Sequence, residues 1–166
     1  MWWFQASDEL DALLKDRFES LLEPARLGEL DHWKATPRGA LALIILMDQF
    51  PRNIYRGSSK AFCYDPASLE ITKEGLDNGW WDRLTKSEKM FALLPLEHSE
   101  NLADQERCVE ELRKDGDMQL ALDFAIAHRD TIKRFGRFPH RNQVLGRKST
   151  PEEEAYLRSG AERYGQ

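Results

Sequence analysis

Cysteine is scarce in this chain of 166 residues: Cys63 and Cys108 are the only two, and they form no CxxC pair. Two cysteines cannot make a disulfide framework, so a reducing, cytoplasmic compartment is expected. Long apolar runs are missing as well. The longest, Ala40–Met47, falls far short of the roughly 20 residues that a membrane span needs. The opening "MWWFQASDEL" has neither a basic start nor a long apolar stretch, so no secretory signal is expected there. An excess of positive charge is absent too. The net charge of −5 argues against wholesale binding to nucleic acid or to an anionic membrane.

Several kinds of chemistry are excluded by missing motifs. There is no GxxxxGK[ST] phosphate loop, no GxGxxG, no HExxH and no GxSxG. His98-Ser99-Glu100 matches the HxE of zinc deaminases, but the PCxxC half of that signature is lacking. A ferritin-like metal site takes two Glu-x-x-His pairs, and the sequence has that spacing once, at Glu29–His32. The four histidines (His32, His98, His128, His140) are far apart in sequence. No metal and no cofactor is therefore expected.

Period-two alternation is also absent and valine is scarce, whereas helix signals recur along the whole chain. Ser7 caps a stripe of Leu10, Leu13, Leu14, Phe18, Leu21 and Leu22, which Pro24 kinks or stops. Thr36-Pro37 opens a mostly buried helix expected to end before Pro51. Asp65-Pro66 opens another, closed near Gly79. Thr85 and Glu88 form a capping box for a short helix ending before Pro95. Helices follow over about 96–115, ended by Gly116, and about 118–135, capped by Asp117 and ended by Gly136. Thr150-Pro151 with Glu153 caps the last. Short links between helices predict an all-α array of antiparallel helical hairpins. A length of 166 residues with no linker predicts a single domain over 1–166.

What is plentiful is arginine. Of the basic residues 15 are Arg and 9 are Lys. Residues 97–117 hold eight acids against three bases, and residues 128–148 hold seven Lys or Arg against one acid. A solvated face would be indifferent between Lys and Arg, whereas the planar guanidinium pairs bidentately with carboxylate or phosphate. Phe-Pro followed by Arg-Asn is written twice, as "FPRN" at 50–53 and "FPHRN" at 138–142. Turn chemistry explains Phe, Pro and Asn; it leaves the arginines over. Two readings of the charges stand: ion pairing between adjacent helices, or the wall of a pocket for an anion. The candidate ligand-binding residues are Asp48, Arg52, Asn53, Arg137, His140, Arg141 and Asn142. Segments 97–105 and 134–142 are expected to face each other through Arg–carboxylate bonds.

His98, between Glu97 and Glu100, could move a proton if one of those acids is buried with it; otherwise it is a surface residue at a helix start. His128 follows Phe124 by four residues and precedes Ile132 by four. It is therefore either a core histidine or a member of a site.

The stretches "GELDHW", "TPRGALALIILMDQFPRNIYRG", "LPLEHSENLADQE", "RFGRFPHRNQVLGR" and "STPEEEAYL", in this order and together with His128, resemble a bacterial family, domain-of-unknown-function family 924. The resemblance spans about residues 28–157. It implies a fold similar to tetratricopeptide-repeat (TPR-like) arrays, and it implies no activity. Its motifs fall on Asp48, Gln49, Arg52, Asn53, Glu97, His98, Ser99, Glu100, Gln105, His128, Arg137, His140, Arg141 and Asn142. There are two departures: a leading Phe-Trp-Phe helix is shortened or absent before Trp2, and Pro24 interrupts a helix that is usually continuous.

Three functions follow as expectations. The first is a binding module whose Arg- and His-lined hollow takes a carboxylate or a phosphate, on a small ligand or a peptide. The second is a small hydrolase or transferase using His98 with Glu97 or Glu100 as acid and base, with Arg137 and Arg141 steadying an oxyanion. The third, RNA binding through 128–148 with Phe135 and Phe138 interleaved, is disfavoured by the acidic total.

Overall fold

In the computed structural model, which describes residues 7–160, the chain is helical throughout, with no strand among those residues. Helix α1, Asp8–Arg26, starts where expected, with the Ser7 side chain accepting from the Leu10 N–H and with Asp8, Glu9 and Asp11 at the positive end. Leu14, Leu22 and Ala25 are buried, while Leu13 points to solvent. Pro24 does not interrupt the helix. It sits in the last turn, and the backbone still closes from Leu27 N–H to Glu23 C=O. The shortened leader before Trp2 lies outside the described residues.

The second helical run departs from expectation at Pro51. Helix α2, Pro37–Ile44, passes into a π turn over Ile45–Gln49, and α3, Phe50–Ile54, continues through the proline. The Phe50 N–H reaches back to Ile45 C=O, five residues away. One extra residue in the turn widens it, which makes room for the pyrrolidine ring and its missing donor. Asp48 and Gln49 sit in that turn, both buried.

Helix α4 is Asp65–Asp77, but Asp65 makes no capping bond; its carboxylate is taken by Arg52 instead. Helix α5, Lys86–His98, begins with the expected Thr85–Glu88 capping box and runs through Pro95 rather than ending before it. The chain breaks at Ser99–Asn101 instead. There Asn101 caps α6, Leu102–Lys114, so the expected 96–115 helix is two elements. Helix α7, Gln119–Phe135, closes on Gly136 in the left-handed conformation. Asp117 is not its cap; that carboxylate pairs with Lys86. Helix α8, Pro151–Arg158, carries the expected Thr150–Glu153 box.

Two apolar cores flank α5. Leu14, Leu22, Leu43, Ile44, Met47 and Trp81 join Ala92 on one side. Leu93 and Leu96 meet Cys108, Val109, Leu112 and Ala125 on the other. A helix that buries residues toward both neighbours reads as apolar nearly all round, which is why "FALLPL" carries no clear stripe. Where α5 ends, between the two cores, the buried side chains become polar. Both cysteines are free, Cys63 exposed and Cys108 buried.

Packing between α4 and the following turn is tight at Gly75. A Cβ there would stand 2.1 Å from Cζ2 of Trp81, whose ring is 1% exposed and whose Nε1–H donates to Thr72 C=O at 3.0 Å. Alanine in a helix is ordinarily worth about 1 kcal/mol over glycine. Here the anchored indole cannot withdraw, so the overpacking cost of about 1–3 kcal/mol wins. Gly75→Ala should lower the urea midpoint; a midpoint at or above that of the parent would contradict this packing.

Candidate functional site

The polar cluster forms where the π turn, the C-terminus of α5, the start of α6, mid-α7 and the 138–142 turn come together. Its centre is Asp48, 0% exposed. His98 Nδ1 lies 2.8 Å from Asp48 Oδ1, and Gln49 Nε2 donates to Oδ2 at 2.6 Å. Arg52 donates to the Asp48 backbone carbonyl and stands 3.4 Å from its carboxylate. Burial alone would push this acid up. The Arg52 guanidinium and the His98 ring outweigh that, so Asp48 is held below its ordinary value and stays charged. Arg52 also takes Asp65 bidentately, at 2.9 and 3.0 Å.

The last carbonyls of α5 have no intrahelical donors. Side chains from elsewhere supply them. Gln105 Nε2 donates to Glu97 C=O at 2.6 Å and to Ser99 C=O at 2.7 Å, and Arg141 Nη1 donates to His98 C=O at 3.0 Å. These bonds fix the two histidine–carboxyl pairs side by side. His98 faces Asp48, and His128 Nδ1 lies 3.3 Å from Glu97 Oε1 while bonding Phe124 C=O at 2.8 Å. The two rings are 6.4 Å apart.

Protonation in the two pairs differs. Burial, with the Asp48 charge nearby, pushes Glu97 up to about 8, so it is a neutral acid at pH 7. Burial brings His128 down to about 3, so it too is neutral. His98 is also lowered, first by burial and then by Arg52. With its Nδ1–H assigned to Asp48, the lone pair sits on Nε2. Among the described residues no hydrogen bond reaches that atom, and the side chain is 12% exposed.

Segments 97–105 and 134–142 do face each other, but not through the expected bonds. Glu100 accepts from the Phe138 backbone N–H at 2.8 Å and from Arg147 at 2.6 and 3.0 Å. Arg137 turns the other way. Its Nε and Nη2 hold Glu153 of α8 at 2.6 and 2.8 Å, and Nη2 also donates to Lys148 C=O. Asn142 is buried in the same knot, donating to Glu153 and Ser149 and accepting from Arg147. Asn53 sits between Gln49 C=O and Arg56.

Beside this network lies a cavity of about 360 Å³, walled by Arg52, Arg56, Phe62, His140, Arg141 and Val144 among others, with no acid among the described residues of its lining. Of the expected ligand residues, Arg52, His140 and Arg141 reach it; Asp48, Asn53, Arg137 and Asn142 do not line it. Both Phe-Pro motifs thus deliver one arginine to the same wall. Arg56 and Phe62 also line it, outside the expected ligand residues. Arg56 lies four residues beyond Arg52 on the chain, the spacing at which helical side chains share a face. Phe62 had no signal at all.

Arg141 is the unusual member. It is 4% exposed, and its guanidinium lies between the Phe62 and Phe138 rings, 4.8 and 4.5 Å from their centroids. Among the described residues no carboxylate pairs with it, and its buried Nε has no hydrogen-bond partner. Burial and the neighbouring Arg52 pull it down to about 10. Among the described residues no group of three His, Cys, Asp or Glu side chains is placed to hold a metal, and no helix is long and apolar enough to cross a membrane.

The family model described as a bacterial protein of unknown function (DUF924) matches residues 1–161. A solved structure of a protein of unknown function from Agrobacterium tumefaciens is similar, with 38% identity and a TM-score of 0.89, covering 95% of this chain and 89% of that one. No curated protein matches.

Two stability outcomes follow from the network. Glu97 is protonated in the fold and ionised in the unfolded chain between its ordinary 4.5 and about 8. The folded state then binds more protons, so the stability that this group contributes is full below pH 4.5 and is lost as pH rises toward 8. Urea unfolding should show the parent weakening relative to Glu97→Gln across that window; a pH-independent offset between them would contradict it. Arg137→Ala removes the bidentate partner of Glu153, a residue only 2% exposed that keeps its Thr150 and Asn142 donors. A loss of about 1–3 kcal/mol is expected in the same assay, and no measurable loss would place the Arg137–Glu153 pair among surface ion pairs.

Proposed function

The chain belongs to this bacterial family of unknown function, and we propose that it is a binding module whose Arg- and His-lined cavity takes a small anionic ligand, a carboxylate or a phosphate. The observation that carries this reading is Arg141: a buried guanidinium on the cavity wall that no carboxylate of the described residues pairs with. Taking a charge out of water costs several kcal/mol unless it is paired and hydrogen-bonded. Aromatic faces and one backbone carbonyl offset part of that cost, and an anion would offset more. The cavity is at the lower end of the roughly 300–1,000 Å³ range of small-molecule sites, with apolar walls and a few convergent polar groups. We take the helical hairpins as a TPR-like array forming one domain that acts in the cytoplasm, with this face presenting the ligand. The net charge of −5 favours a small ligand over nucleic acid.

A second reading has one observation in its favour, the Asp48–His98 bond. It orients an imidazole with a free Nε2, as a general base requires, and it replaces Glu97 and Glu100 as the partner of His98 in a hydrolase or transferase. Binding leads because His98 does not line the cavity.

Thermal unfolding in phosphate or acetate, against chloride at equal ionic strength, tests the first reading. A ligand at a hundredfold excess over its Kd adds about 2.7 kcal/mol to stability. The stabilisation should disappear in Arg141→Ala and persist in Arg137→Ala. Curves that superimpose in all three salts would end the proposal.

A further inference from the structure

We infer that the ligand of this cavity is a small monocarboxylic acid with an apolar body, its carboxylate gripped side-on by Arg141; the inference rests on the anion-binding reading above. The donor arrangement points there. Elsewhere in this protein arginine holds carboxylates in pairs of bonds, through the Nη1–Nη2 end in Arg52 and Arg147 and through the Nε–Nη2 edge in Arg56 and Arg137. Arg56 takes Asp11 with Nε and Nη2 at 3.1 and 3.2 Å, and Arg137 takes Glu153 with the same two atoms at 2.6 and 2.8 Å. Arg141 uses Nη1 on His98 C=O, so its Nε–Nη2 edge makes no hydrogen bond among the described residues. Two parallel N–H groups on one rigid plane match the two oxygens of a carboxylate.

The distribution of charge also separates one anion class from the other. Among the three arginines of the wall, Arg52 has two carboxylates, Asp65 in contact and Asp48 at 3.4 Å, and Arg56 has Asp11. Arg141 has none. A single negative charge at Arg141 meets the one guanidinium that lacks an opposite charge. The second charge of a phosphate dianion would face Arg52, already beside two acids. Its size and walls set the rest of the ligand: a cavity of about 360 Å³ with Ala61, Phe62, Pro139, Val144 and Leu157 along it accepts a short hydrocarbon body.

Calorimetric titration of the purified chain with hexanoate, benzoate, hexanamide and phenyl phosphate tests this. Hexanoate and benzoate should bind, hexanamide should not, and phenyl phosphate should bind more weakly than either acid. Tighter binding of phenyl phosphate would overturn the carboxylate inference while leaving the anion site standing; binding by none of the anions would overturn both. Arg141→Lys keeps the charge and removes the fork, so hexanoate affinity should fall roughly tenfold to a hundredfold. Unchanged affinity would make Arg141 a point charge and overturn the inference. If circular dichroism finds Arg141→Lys unfolded, Val144→Asp serves instead: its carboxylate on the half-buried wall should abolish hexanoate binding in a folded protein, and undiminished binding would refute the site.

Discussion

A carboxylate with no exposure to solvent, that of Asp48, is the constraint on which the rest of the polar interior depends. An ionised acid in that position requires opposite charge and donors in contact. Arg52, Gln49 and His98 provide them. Each provision then commits a further element. Arg52 must be steadied against Asp65, which takes that side chain away from capping α4. His98 must stand at the end of α5, so α5 has to run through Pro95 and stop where its carbonyls can be met by Gln105 and Arg141. The Asp48 charge also helps keep the neighbouring Glu97 carboxyl neutral.

The arginines divide into two kinds. Arg137 and Arg147 are joints. One ties the 136–138 turn to α8 through Glu153, and the other ties the following loop to Glu100. A lysine could carry the charge at these places but not the paired bonds. Arg52 and Arg56 are also anchored, yet they present part of themselves to the cavity. Among the described residues, Arg141 alone of the cavity-wall arginines is held by aromatic faces and one carbonyl rather than by an acid. Packing between rings fixes the plane of a guanidinium without cancelling its charge, the combination on which the proposed anion site rests.

The helical character, the Ser7, Thr36, Thr85 and Thr150 caps and the Gly136 stop could be read directly, because caps are local chemistry. The prolines misled. Pro51 and Pro95 read locally as stops, but tertiary burial and, at Pro51, a widened turn keep the helix going. Asp65 and Asp117 looked like caps and serve as ion-pair partners, a choice decided by residues 13 and 31 positions away in sequence. Within the site, Asp48, Arg52, His98, Glu97, His128 and Arg141 all stand out from their motifs. Their pairing does not, because Asp48 lies fifty residues from His98 and no local pattern records that contact. Arg137 and Arg141 sit in one basic run, yet the fold sends the two in different directions, one to Glu153 and the other to the His98 carbonyl.

The π turn at Ile45–Gln49 bears on how this protein can vary in length. Such a turn is an α-helix carrying one residue too many. Its surplus residue keeps Asp48 facing the core and Arg52 facing Asp65 within a single run of helix. Removing that surplus residue would close the turn to an ordinary α-helix whose flanking residues keep their faces. The cost would fall inside the turn: Asp48 and Gln49, which sit in it, would be re-aimed, and Pro51 would lose the widened turn that accommodates its ring. The helix on either side can therefore stay in register across a change of length here, while the buried acid within the turn cannot keep its place.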